Sequence, residues 1–268
     1  MYKIVLSFLF LVSSLHSKQA DYITYDWLID VAKKTAYTDH IPHFRKLFNT
    51  MKVRGLLECG CGYSTKYFID HCKKVVTIEF VTEGYGDGWY WKCVDLYRDC
   101  PNWFPNLYNP DAKNLAFNTA CGYQCSQHRD YALIDPTYLY EMDRYFKQLL
   151  SDAHDEKSDI DVGFVDAGVY IRGDMVKLLL ANKVPIVMAH DTGSDEGSDV
   201  TEGLYGWFKV KTPPDYEKIF IPFGMSTTFW ISKTLPHVID AILEYQKLIK
   251  ERGIDTFEEL TSIIVEKE

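Results

Sequence analysis

The chain has 268 residues and a formal net charge of −9, with 47% hydrophobic and 25% charged residues. That is enough for one large α/β domain or two small ones around a substantial core. The acidic balance argues against a protein that wraps phosphate backbones, which carry basic faces, so no nucleic-acid partner is expected. No charge run, low-complexity tract or internal repeat points to a tail or a solenoid.

Residues 1–20 differ from the rest. Lys3 supplies a positive charge, Ile4 to Val12 is almost wholly apolar, and Ser13, Ser14 and Ser17 follow. This is the outline of a secretory signal peptide, although a small residue before Ser17 at the usual cleavage offset is missing. The apolar core is shorter than the roughly 20 residues that span a bilayer, so no stable membrane span is expected. The alternative is a buried N-terminal strand or helix, with a cytoplasmic protein as its consequence. Seven cysteines fit an oxidising compartment. Cys93, Cys100, Cys121 and Cys125 fall in an irregular stretch where disulfides are expected to act as staples, and the odd total leaves at least one thiol unpaired.

Along the chain, Trp27 to Leu47 reads as helical with a break near Pro42. Gly55 to Glu58 is a short apolar run ending in an acid, and Ser64 to Cys72 reads as a helix. Val75 to Phe80 (VVTIEF) is β-branched and reads as a buried parallel strand. An irregular, cysteine-rich and partly helical insertion is expected at about 84–127. Tyr138 to Leu150 has helical spacing through Leu139, Met142, Phe146 and Leu149. Ile160 to Val165 is a strand ending at Asp166, Asp174 to Ala181 a helix, and Val184 to Ala189 a strand ending at His190 and Asp191. Ile219 to Phe223 and Thr227 to Ser232 close the sheet, and Pro236 to Glu251 is a last amphipathic helix. Alternating strands and helices predict a doubly wound, mostly parallel α/β sheet with helices on both faces. The two closing strands have no helix between them and predict an antiparallel pair at one edge. Residues 21–268 are expected to form a single domain.

In such sheets ligands bind at the carboxyl ends of the strands, near the switch in strand order. Four strand ends carry chemistry here: Glu58 with its glycines, Glu79, Asp166, and His190 with Asp191. In LLECGCGYST, Gly60 and Gly62 allow a sharp turn and close backbone approach to a ligand, and Ser64 or Thr65 is placed to cap the next helix. Glu79 follows about 20 residues later, the spacing at which a carboxylate meets ribose hydroxyls. One residue separates Cys59 from Cys61, unlike a redox or zinc pair, so the thiols read as packing. Tyr63, Ser64 and Thr65 fill the place of a dinucleotide fold's third glycine. Glu58 would repel phosphate, so the turn suits a cationic, phosphate-free ligand better.

ECGCGYSTKYF followed by VVTIEF resembles motifs I and II of the class I, Rossmann-like S-adenosylmethionine-dependent methyltransferases. FVDAGVYIRGDMV and VPIVMAHDT resemble the segments after the fourth and fifth strands of that family, so the resemblance runs from about Gly55 to Ser232. It implies Gly60 and Gly62 against the methionine part of S-adenosylmethionine, with Glu58 near its amino group and Glu79 on the ribose. Ser64 and Thr65 belong to the same cofactor turn. Asp166 is implied beside the sulfonium, and Trp89 or Tyr90 against adenine; Asp130 and Asp135 are both candidates for its acid. The insertion is longer than the family's third unit. Near the acceptor, the resemblance implies Asp166, His190 and Asp191 as catalytic groups, with His190 suited to a general base. Some of the family's small-molecule O-methyltransferases hold a divalent cation between acids at these positions, and oxygen ligands suit Mg²⁺. Thr192 stands where those enzymes tend to have an amide. Arg172 either steadies an anionic substrate or pairs with Asp166 or Asp174.

The expectation is O-methylation of a small molecule or sugar, a glycan included, in the secretory pathway. A secretory lumen that imports the cofactor is compatible with the leader. The rival readings are a secreted Rossmann-like binding protein without activity and a related fold hydroxylating an antibiotic-like substrate. Acceptor specificity is expected in the insertion and from Gly193 to Pro214.

Overall fold

A computed structural model describes residues 24–35, 37–80, 88–108, 136–152, 160–167, 172–193 and 205–265. The expected leader, Cys121, Cys125, Asp130, Asp135 and the stretch 109–127 lie outside the described residues.

Two helices come first, α1 (Tyr25–Thr35) and α2 (Ile41–Thr50). The chain breaks before Pro42, which sits in the first turn of α2 where its missing N–H costs nothing. Then follow β1 (Gly55–Cys59), α3 (Thr65–His71), β2 (Lys74–Phe80), α4 (Gly88–Tyr97) and β3 (Trp103–Tyr108). The second half runs α5 (Pro136–Asp152), β4 (Ile160–Val165), α6 (Arg172–Ala181), β5 (Ile186–His190), β6 (Tyr216–Ile221) and β7 (Thr227–Ser232), and ends in α7 (Pro236–Arg252) and α8 (Phe257–Val265).

The seven strands form one sheet in the order β3-β2-β1-β4-β5-β7-β6. β1 to β5 are parallel, while β7 runs antiparallel to both β5 and β6. The expected fold class is therefore the observed one. The chain winds outward from β1 to β3, then crosses back to β4 on the other side of β1. The strand order thus switches between β1 and β4, and a crevice at their carboxyl ends is the natural ligand position.

Successive strand residues point to opposite faces, as pleating requires. Leu56, Val75, Phe164 and Ile186 join a core beneath α2, α3, α7 and α8, with Phe44, Phe68, Val238 and Leu260. Their neighbours Leu57, Val76, Val165 and Val187 join the core under α5 and α6, with Phe146, Met175 and Leu179. Strands buried on both faces read as continuous apolar runs, which made β2, β4 and β5 legible.

Three expectations need correction. The region assigned to an irregular, partly helical insertion contains a helix, α4, as expected, but also the edge strand β3, which was not. WFPNLY lacks a β-branched run and carries Pro105, which an edge strand tolerates because its outer side needs no ladder bond. Cys93 and Cys100 are free thiols, not members of a staple, and Cys59, Cys61 and Cys72 are free as well. Finally α8 had not been anticipated.

Candidate functional site

The turn after β1 is held by a relay that starts across the sheet. Trp103 Nε1 donates to Thr77 Oγ1 at 2.9 Å, and Thr77 donates to Glu58 at 2.8 Å. Thr65 donates to the same carboxyl at 3.0 Å and accepts from the Gly62 N–H at 3.0 Å. Glu58 is fully buried. Burial pushes its pKa up to about 8, against the two threonine hydroxyls that favour the charged form. The expectation that Glu58 lies beside a ligand's amino group is therefore corrected: its carboxyl is enclosed and shapes the turn from behind. Ser64 makes no side-chain cap to α3, and the Thr65 hydroxyl accepts the Gly62 N–H within the turn rather than capping the helix.

Gly60 has φ +94°, and an added Cβ would stand 2.5 Å from Ala167 Cα and 2.8 Å from the Asp166 carbonyl oxygen. No side chain fits where β1 meets the end of β4. Gly62 is the opposite case, since a Cβ there meets nothing within 4 Å. Its surroundings are open, as a ligand-facing turn requires. Glu79, at the end of β2, accepts the Cys61 N–H at 2.9 Å and its thiol at 3.1 Å. The turn and the β2 acid are thus tied together. Of the two aromatics expected against adenine, Tyr90 is buried and Trp89 is exposed. Trp89 lies edge-on to Tyr63 with ring centroids 4.8 Å apart. Tyr63 belongs to the glycine turn, so Trp89 is the aromatic that borders it.

The second group gathers at the ends of β4 and β5. Backbone bonding continues β1 onto this end, Asp166 N donating to Cys59 O at 2.9 Å. His190 Nδ1 faces Asp166 Oδ1 at 3.3 Å and Asp191 Oδ1 at 3.7 Å. Its Nε2 donates to Asp39, which comes from the turn before α2. Carboxylates on both ring nitrogens favour the imidazolium form of His190. Burial alone would lower its pKa, but Asp166, Asp39 and Asp191 raise it well above the usual histidine value. That field favours the imidazolium form, which has no lone pair to take a proton, and so weighs against the general-base role expected for His190.

Asp166 resists its own burial in the same field and is held below the usual carboxylate range by His190 and Arg172. Arg172 Nη1 stands 3.0 Å from Asp166 and 3.0 Å from Asp191. Asp191 adopts φ +56°, a left-handed backbone that Asp tolerates better than most residues and that often marks a functional turn. Thr192 is occupied with Thr228 at 2.9 Å and Ser226 at 3.2 Å.

Asp39 and His40 escaped the sequence reading, where DHIPHF looks like nothing more than a helix start. Both are buried. Asp39 also accepts the Met225 N–H at 2.6 Å. Gly224 must be glycine beneath it, since a Cβ would fall 2.0 Å from Asp39 Oδ2. Neither ring nitrogen of His40 has a hydrogen-bond partner, and Nδ1 lies 3.9 Å from Asp166 Oδ2. Burial drives its pKa down to about 3, which keeps the ring neutral.

Asp39, His40 and His190 approach one another closely, as do Asp166, His190 and Asp191, so both sets have the donor types of a metal site. Neither converges on an open position. In the first, the His190 Nε2 proton points at Asp39; in the second, the guanidinium nitrogen of Arg172 lies between the acids. The Mg²⁺ that the resemblance allows does not fit these residues as arranged.

No family model matches the sequence, and no curated protein matches it. Among solved structures, the chain is similar to a Podospora anserina methyltransferase bound to SAH, with 14% identity, 83% of this chain and 88% of that chain covered, and a TM-score of 0.44. It is similar to a Bacillus cereus O-methyltransferase in complex with SAH, at 13% identity, 77% and 90% coverage and a TM-score of 0.41. It is also similar to the O-methyltransferase TomG of Streptomyces achromogenes, involved in tomaymycin synthesis and solved with SAM, at 12% identity, 77% and 88% coverage and a TM-score of 0.42.

Proposed function

We propose that this chain is an S-adenosylmethionine-dependent methyltransferase acting on a hydroxyl of a small molecule or glycan. One observation carries the reading. At the switch in strand order, the open glycine turn of β1 is tied to Glu79 of β2 and packs directly on Asp166 of β4. Gly62 leaves room for the methionine portion, Glu79 is at hand for the ribose hydroxyls, and Asp166 offers negative charge to a sulfonium.

The charge balance supports a cationic ligand. Asp39, Asp166 and Asp191 face Arg172 and His190, leaving one net negative charge. Methyl transfer needs the acceptor oxygen in line with the carbon–sulfur bond; the methyl moves to oxygen, the sulfur keeps the electron pair, and the acceptor proton leaves to Asp166 or water. Asp166 is a weak base in this field, so positioning supplies most of the rate. Residues 1–20 are read as a leader into the secretory pathway, where a glycan acceptor is at home; N-terminal sequencing of the mature protein tests that part.

Release of S-adenosylhomocysteine, followed across a panel of hydroxylated small molecules and glycans, tests the reaction. Cofactor binding with no turnover on any acceptor favours the binding-protein reading instead.

A further inference from the structure

We propose that Arg172 is the resident cation of this site: its guanidinium fills the position between Asp166 and Asp191 where a divalent ion would bind, so the centre is built to work without a metal. Nη1 lies 3.0 Å from Asp166 Oδ1 and from Asp191 Oδ2, and donates to the His190 carbonyl at 3.2 Å. Nε donates to the Ala167 carbonyl at 2.6 Å. The guanidinium carbon sits 4.0 Å from the centroid of the Tyr205 ring. Arg172 is buried, in the first turn of α6. The strand ends of β4 and β5 and an aromatic face thus fix the side chain at once.

A bound Mg²⁺ needs carboxylate oxygens at about 2.1 Å in a near-octahedral shell. One guanidinium nitrogen, Nη1, takes that space and reaches both carboxylates, while Nε is held by the Ala167 carbonyl. Charge argues in the same direction. Three carboxylates already face two fixed cations, and a dication added to them would turn the cluster net positive. Arginine keeps its charge at any pH a protein survives, so this cation is lost neither to chelators nor to titration. Arg172 then acts as a positioning residue, holding Asp166 and Asp191 apart and oriented. The inference stands whether or not the chain transfers methyl groups.

Mn²⁺ titration of the full chain, read by electron paramagnetic resonance, tests it directly. The wild-type chain is expected to show no saturable uptake up to millimolar Mn²⁺. Arg172→Met removes the charge but keeps an apolar stem, and is expected to gain one Mn²⁺ that disappears again when Asp191→Asn is added. Saturable wild-type uptake that Asp191→Asn abolishes overturns the proposal, and so does a folded Arg172→Met chain that takes up no Mn²⁺. If Arg172→Met does not fold, the wild-type titration decides: no saturable uptake upholds the proposal, and one Mn²⁺ lost in Asp191→Asn overturns it.

Discussion

Asp39 and His190, 151 residues apart in the chain, meet as a buried hydrogen-bonded ion pair at the end of β5. The contact pins the turn before α2 to the sheet and fixes the imidazolium against Asp166. Replacing Asp39 by Ala leaves the buried His190 Nε2 without its carboxylate while Asp166 and Asp191 still face Nδ1, and a loss of up to about 3 kcal/mol is expected in urea unfolding. Its pH signature follows from the two shifts. His190 has a raised folded pKa, so its contribution is full below about pH 6.5 and fades as pH rises through the folded value. Asp39 is held low by the His190 charge despite its burial, so its contribution is full above about pH 4 and fades as pH falls. Nitrogen shifts of His190 are therefore expected to be those of imidazolium at pH 7, and in Asp39→Asn to move toward neutral imidazole at lower pH than in the wild type.

Glu58 runs the other way from most carboxylates. Burial lifts its folded pKa to about 8, against about 4.3 in an unfolded chain. Its contribution to stability is full below pH 4.3 and is lost as pH rises through 8, by on the order of 1 kcal/mol per pH unit between those limits. Glu58→Gln keeps the acceptor for Thr65 and Thr77 without the ionisation. Urea midpoints measured from pH 5 to 8 should fall more steeply in the wild type than in the variant. Parallel slopes would mean the carboxyl is ionised throughout.

Gly60 and Gly62 separate shape from binding. Gly60→Ala drives a Cβ into the Ala167 backbone at 2.5 Å from a left-handed φ, and roughly 1–3 kcal/mol of destabilisation is expected from overpacking alone. Gly62→Ala projects into open space and should change stability by no more than about 0.5 kcal/mol. Thermal unfolding of the two variants checks this contrast.

Local patterns carried most of the fold into view. The β-branched run of β2, the glycine turn after β1 and the acids at four strand ends are all readable within ten residues of chain. β3 was hidden because an edge strand with Pro105 buries only part of its surface and needs no apolar run. The charge cluster was half legible. Asp166, His190 and Asp191 stand out as polar residues closing buried strands, and Arg172 was noticed without its place being known. Asp39 and His40 reach them only through the tertiary fold, and nothing in DHIPHF distinguishes a buried ion pair from a helix cap. The same gap made His190 look like a free base, since Asp39, the carboxylate on its second ring nitrogen, comes from 151 residues away.

Isothermal titration of the folded chain with S-adenosylmethionine and S-adenosylhomocysteine tests the central claim most directly. One-site binding of both is expected, weakened in Gly62→Ala and in Glu79→Gln while their unfolding temperatures stay near that of the wild type. A correctly folded wild-type chain that binds neither compound would contradict the methyltransferase reading.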